Sequence, residues 1–433
     1  MNSLFFALVF IAFFVTAVRQ IGWVPVEGVD SPMQVLTLGM VDTAEGSVTL
    51  AIGLVGVMAL FLGLMKVAEK GGLLTVLARL IRPVMVWLFP EVPPDHPAMG
   101  AMILNMAANA LGLGNAATPF GIRAMKELDR LNPHKGTATN AMALFLAINT
   151  SSVTLLPTGV IALRASAGSS DPAAILPTTL FATFCSTVVA ILAVKSYQRF
   201  FPAPSATPLT EEVKEEREEG AEKSEMERQL DGFQGYPRWV SLLVLVTVVG
   251  FIPLTIFYGK AISPWVIPSL MVLMLGFGAW RRIPIYEAFV EGAREGFDVA
   301  IRIIPYLVAI LVAVGMFRAS GAMGYLVNAM GSLTSQMGLP AEALPMALLR
   351  PLSGSGAYGL MASIIQDPLI GPDSYTGLLV STLQGSTETT FYVLAVYFGA
   401  VRIRRVRHAL AAALTADLAG IIAAVFICSL LFG

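Results

Sequence analysis

The sequence predicts an all-α polytopic membrane protein: two inverted-topology repeats with interrupted and re-entrant helices, a transporter-like architecture. Three observations predict it. Apolar residues are 56% and charged residues only 13% of the chain, where soluble domains carry roughly 25% charge, and the mean hydropathy is +0.73. A polar, acid-rich stretch over 202–238 splits the chain almost in half. The halves on either side carry the same order of segments.

Taken in order, the segments 4–18, 48–65, 138–163, 174–197, 240–257, 265–280, 303–317, 374–400 and 409–431 read as spans by length and apolarity. The first has no basic n-region and no clear small-x-small cleavage site, so a retained span is expected rather than a signal peptide. Between the spans lie 73–89, 98–113, 323–337 and 345–365, apolar but rich in Gly, Asn, Ser or Pro. Such segments fit interfacial and short re-entrant helices, since non-helical backbone at membrane depth survives only inside protein or beside a water-filled cavity. The domain reading is a first membrane half over 1–200, an acidic linker over 201–238 and a second membrane half over 239–433. The linker cannot bury a core and reads as a solvated tether.

Lys and Arg set the orientation. Lys66, Lys70, Arg79, Arg82, Arg123, Lys126, Arg130, Lys135, Lys195, Arg199, Arg281, Arg282 and the run Arg402–Arg407 mark the cytoplasmic side. Residues 20–49 hold no Lys or Arg and face outward. The N-terminus and linker are then inside and the C-terminus outside. Arg19, Lys260 and Arg318 fall on the outer side against the rule.

The repeat follows the same order in both halves. A span leads to an amphipathic segment, then to a Gly/Asn/Ser-rich segment, then to a span interrupted by small polar residues. Asn149, Thr150, Ser151 and Ser152 of the first half align with the cluster Gln384 to Glu388 of the second. The first interrupted span starts inside and the second starts outside, so the matched helices run in opposite directions. In such folds the half-helix ends present unpaired N–H and C=O groups near the bilayer midplane.

At these residues the chain resembles known families. LGNAATPFGIRAMKEL with LFLAINTSSVTLLPTGVIALRA resembles spore maturation protein A, and LLRPLSGSGAYG with GSTETTFYVLAVYFGAV resembles spore maturation protein B. The resemblance implies a fusion of the two within the nucleoside-recognition Gate group, which also includes concentrative nucleoside transporters. It implies a bacterial inner-membrane location and, by analogy with the Gate name, nucleoside-like solutes.

Glu388 is the sharpest candidate. An acid in an apolar span is costly, and a buried carboxyl holds its proton. It could carry a proton, or pair with Na⁺ or a cationic solute group. The plainer alternative is a glutamate tethered to Arg350 or Arg302. Gln384, Ser386, Thr387 and Thr389 add polar groups beside it. Asn149, Thr150, Ser151 and Ser152 suit a neutral polar ligand. Their alternative is helix–helix hydrogen bonding, worth roughly 0.6–2 kcal/mol per contact in membranes. Asn105, Asn109 and Asn115, with Ser353 and Ser355 in the counterpart, are expected at the tips of re-entrant hairpins.

Other chemistry finds no support. Cys185 and Cys428 lie in apolar runs and read as buried hydrophobes. His96, His134 and His408 are scattered beside loops and read as solvated, so no metal site or cofactor is expected. Asp367 reads as a turn or cap. GSGAYG and LGLGN follow no strand and are not phosphate loops. No Ser-His-Asp, HExxH or CxxC constellation appears, so an enzyme is not expected. The net charge of −1 gives no footprint for nucleic acid. The partners implied are the lipid bilayer, a small polar solute and a proton or Na⁺. A homo-oligomer is compatible with the sequence.

Overall fold

The computed structural model describes residues 2–26, 28–112, 114–202, 236–325, 334 and 337–433. The linker segment 203–235 and most of 323–337 therefore lie outside the described residues. In the first half the helices are α1 (Asn2–Ile21), α2 (Pro32–Lys70), α3 (Leu73–Leu88), α4 (Pro97–Ala110), α5 (Gly114–Arg130), α6 (Asn140–Thr150), α7 (Thr158–Ser166) and α8 (Leu176–Tyr197). In the second they are α9 (Arg238–Trp280), α10 (Ile285–Ala319), α11 (Leu344–Leu349), α12 (Gly354–Ile365), α13 (Tyr375–Ser386), α14 (Thr390–Ala400) and α15 (Ala409–Phe432).

Local chemistry sets the matched helix starts. Thr139 caps α6, its hydroxyl accepting from Met142 N–H at 3.1 Å. Ser374 caps the equivalent α13, accepting from Gly377 N–H at 3.0 Å. Both use an N-terminal amide left orphaned by helix geometry.

The contacts show the inversion. In α2 against α10, Thr43 meets Gly315, Ala59 meets Gly296 and Gly63 meets Phe289, so the helices run antiparallel. In α8 against α15, the Phe181 and Phe426 rings lie 6.1 Å apart and Tyr197 bonds Thr415, again antiparallel. Each pair consists of elements equivalent by order, running in opposite directions. The other contacts are reciprocal: α6 packs on α15 as α13 packs on α8, and α6 meets α14 as α13 meets α7. A two-fold relation produces this pattern. The hairpins α4–α5 and α11–α12 lie beside it, in the two apolar cores.

Several boundaries differ from the sequence expectation. The interrupted spans divide into α6 and α7, of 11 and 9 residues, and α13 and α14, of 12 and 11. Each piece is about half of the roughly 20 residues a crossing needs. Among the described residues, α2, α8 and α15 are long and apolar enough to cross a membrane singly. Helix α10 begins at Ile285, well before residue 303, because charge lowers hydropathy without breaking a helix. Its Glu291 and Glu295 pair with Lys66 and Lys70 of α2.

The expected spans 240–257 and 265–280 form one continuous helix, α9, of 43 residues. A straight helix of that length would part its ends by about 65 Å. Yet Tyr236 N–H reaches Arg79 C=O and Arg281 Nε reaches Gly71 C=O, and eight residues of chain span at most about 30 Å. The helix therefore bends.

Two clasps join the halves. At one end Arg164, fully buried, donates to Pro172 C=O, Pro372 C=O, Asp171 C=O and Ser169 Oγ and pairs with Asp373 at 3.0 Å. Asp373 also accepts from Ser170 N–H at 2.7 Å. At the other end Thr137 and Arg405 form an isolated parallel bridge, and Arg407 Nη1 donates to Ala138 C=O at 3.0 Å. The two clasps tie equivalent pairs of loops.

Candidate functional site

The two helix breaks meet. After Thr150 the chain runs irregularly to Pro157, and after Ser386 it is extended over Thr387–Thr389. Runs of Ser and Thr compete locally with helix bonds, and proline cannot continue a helix. Glu388 N–H donates to Thr150 C=O at 2.7 Å, and Thr187 Oγ1 donates to Ser151 C=O at 2.8 Å. Two carbonyls orphaned at the end of α6 are thus taken by the other break and by α8.

The hydroxyls at the breaks mostly turn back on their own helices. Thr150 Oγ1 and Ser151 Oγ both donate to Ala147 C=O at 2.9 Å, and Ser386 Oγ donates to Leu383 C=O at 3.1 Å. Ser152 and Thr387 are buried.

Asparagines tie the first hairpin to the first break. Asn109 Nδ2 donates to Asn149 Oδ1 at 2.9 Å, and the Tyr397 hydroxyl donates to the same oxygen at 3.3 Å. Asn105 Nδ2 donates to Ala117 C=O at 2.7 Å and to Tyr397 Oη at 3.2 Å. Asn115 lies in the first turn of α5, with its side chain outside the described residues. Tyr397 was not a sequence candidate. It lies in FYVLAVYFG, where an aromatic reads as lipid-facing, and only the packing of α14 on α6 turns its hydroxyl inward.

Glu388 departs from the sequence expectation. Its side chain is 52% exposed rather than buried, and its Oε2 lies 3.9 Å from Arg350 Nη2. The extended break explains this. Alternate side chains face opposite ways, and Thr387 and Thr389 take the buried side. The premise of a proton held by burial does not apply to it. The second partner weighed from the sequence, Arg302, has its side chain outside the described residues.

Arg350 sits at the tip of the α11–α12 hairpin and is buried. Its Nε donates to Gln384 C=O at 3.2 Å and its Nη1 to Thr389 Oγ1 at 3.0 Å. Ser353 caps α12, accepting from Gly356 N–H at 3.0 Å, and Ser355 is exposed. Both flank the hairpin tip rather than the break itself.

A second acid was missed. Asp417 of α15 is buried, and Thr390 Oγ1 donates to its Oδ2 at 2.6 Å. The signal was present, since Asp417 interrupts an apolar run as Glu388 does. Asp417 Oδ1, Gln384 Oε1, Thr179 Oγ1 and Asn105 Oδ1 are buried polar atoms beside the breaks or the asparagine network without a hydrogen-bond partner among the described residues. Buried polar atoms are nearly always partnered, so this concentration marks a polar site.

Two shallow depressions of about 450 and 600 Å³ lie elsewhere, lined by residues such as Ser166, Gln366, Asp42 and Glu45. Neither borders a break. Among the described residues no three His, Cys, Asp or Glu groups gather as for a metal. His408, expected as a solvated loop residue, is fully buried against Phe201 instead.

Residues 51–197 and 300–404, more than half of the chain, match the Gate family, described as nucleoside recognition. The chain belongs to the Gate family. Spore maturation protein B of Bacillus subtilis (strain 168) is 47% identical over 167 residues, 39% of this Gate protein and 93% of its own length. Spore maturation protein A of the same organism is 47% identical over 149 residues, 34% of this chain and 76% of its own length. They match different parts, as a fusion of the two does. Among solved structures, CNTnw in an outward-facing state gives a TM-score of 0.45 at 15% identity, covering 98% of this chain and 91% of that one. CNTnw in an inward-facing, substrate-bound state gives 0.39 at the same identity and coverage.

Proposed function

We propose that this protein is a transporter of a small polar solute, nucleoside-like or another small metabolite, across the bacterial cytoplasmic membrane. The observation that carries the reading is the meeting of the two helix breaks through Glu388 N–H and Thr150 C=O, with unpartnered polar atoms around them. Broken helices that cross at depth supply backbone and side-chain polar groups where lipid supplies none. The solute sits between the halves 1–200 and 239–433, with the linker 201–238 as a cytoplasmic tether. The N-terminus is inside and the C-terminus outside, in keeping with the Lys and Arg distribution. In this reading the solute leaves chemically unchanged.

In this reading the exposed Glu388 carboxylate faces the solute and responds to the coupling cation, a proton or Na⁺. Glu388→Gln is expected to abolish solute flux, or its dependence on a cation gradient, in reconstituted vesicles while the protein still assembles. Unchanged flux with unchanged cation dependence would refute the role.

A second reading is favoured by the match to two spore maturation proteins: a membrane scaffold that keeps a transporter fold. Deleting 203–235 separates the two. A transporter keeps its flux, whereas a scaffold docking through the linker loses its partner.

A further inference from the structure

The second break offers a set of oxygens that suits a hard cation. Gln384 contributes a main-chain carbonyl at the C-terminal end of α13, where the helix dipole is negative. Thr389 contributes a hydroxyl oxygen and Glu388 a carboxylate. The Asp417 carboxylate accepts from Thr390, the residue that follows Thr389. Unwound carbonyls with half-helix C-terminal ends are a common Na⁺ arrangement in broken-helix membrane proteins.

One side chain already satisfies that set. The Arg350 guanidinium directs Nε at the Gln384 carbonyl, Nη1 at the Thr389 hydroxyl and Nη2 toward Glu388, and it is buried. The approach is close: a Cβ on Gly354 would stand 2.7 Å from Thr389 Oγ1. The first half provides the comparison. There the described contacts between the hairpin tip and its own break are neutral: Leu155 N–H donates to Ala110 C=O at 3.0 Å with Gly112 lying against the Leu156 carbonyl, and Asn109 Nδ2 donates to Asn149 Oδ1. The second hairpin keeps the matching backbone bond, Phe391 N–H to Pro351 C=O at 3.2 Å, and adds the arginine. The acid at the break and the cation at the hairpin tip belong to the same half.

We propose that Arg350 is a built-in cation: its guanidinium fills the seat that the second break makes for a metal cation, so the protein binds no Na⁺ there. Arg350 is a positioning residue that holds the hairpin tip in the break. The proposal deepens the transport reading by excluding Na⁺ from the second break, but its test is independent of transport.

The test is the melting temperature of the purified full chain, without solute, in NaCl, KCl and choline chloride of equal ionic strength. The wild type is expected to melt alike in all three. A rise with Na⁺ alone would overturn the proposal, because a ligand bound only by the folded state at free concentration c stabilises it by RT ln(1 + c/Kd). Arg350→Ala is expected to melt lower in choline chloride and to regain stability with rising Na⁺ or with millimolar guanidinium. An Arg350→Ala protein as indifferent to both as the wild type is would also overturn it. Arg350→Lys keeps the charge and is expected to show no Na⁺ response. A Na⁺ response in Arg350→Lys equal to that of Arg350→Ala would sink the idea, and the wild-type and Lys measurements stand even where Arg350→Ala fails to accumulate.

Discussion

A single histidine shows how burial creates a pH dependence at the residue scale. His408 immediately precedes α15, outside the span, and is fully buried beside Arg407. Burial, and then the Arg407 charge, push its pKa down to about 4, from roughly 6.5 in the unfolded chain. The fold therefore holds it neutral. Between those values the unfolded state binds more protons, so stability is present above about pH 6.5 and is lost as pH falls toward 4. The melting temperature is expected to drop across that window and to level off below it. His408→Phe should flatten the drop, and an equally steep fall in that variant would exclude His408 as the cause. The Asn149 network works on the same scale, through neutral hydrogen bonds.

Close packing governs the element scale. Gly292 and Gly296 stand one turn apart on α10, facing Leu62, Gly63 and Ala59 of α2. Small residues spaced in this way let membrane helices approach to backbone contact. A Cβ on Gly296 would lie 2.7 Å from Ala59 Cα. Gly296→Leu is expected to cost about 1–3 kcal/mol by overpacking, read as a lower melting temperature. Gly276 of α9 is the control, with open space where its Cβ would be. Gly276→Ala should leave stability unchanged or raise it by about 0.5–1 kcal/mol. Equal losses in both would mean that helix contact is not the reason for glycine at 296.

At the scale of the whole molecule, both clasps are formed at once, Arg164–Asp373 at one end and Arg407–Ala138 at the other. In the proposed transport reading, a solute passes between the halves when one clasp opens while the other holds. Ser169→Cys with Asp373→Cys, in a chain freed of Cys185 and Cys428, places two thiols where Ser169 Oγ and Asp373 Oδ1 stand 2.5 Å apart. A short reducible crosslinker between them is expected to stop flux, and reduction to restore it. Undiminished flux through the crosslinked protein would show that this end does not open.

Read alone, the chain determined its membrane class, the order of the repeats, their inversion and the position of both helix breaks. These follow from composition, periodicity, polar interruptions and the placement of Lys and Arg, all local properties. Only the tertiary structure decided that the breaks touch and that Glu388 faces outward between two buried threonines. It also decided that Arg350 of a separate hairpin is its counter-charge and that Tyr397 and Asp417 belong to the same polar centre. The lengths of α9 and α10 likewise emerged only with coordinates, because charge and proline alter hydropathy and direction without ending a helix. The reason is common to these cases. Hydrogen bonds between residues up to 301 positions apart are set by which helix packs on which, and a local pattern carries no record of that choice.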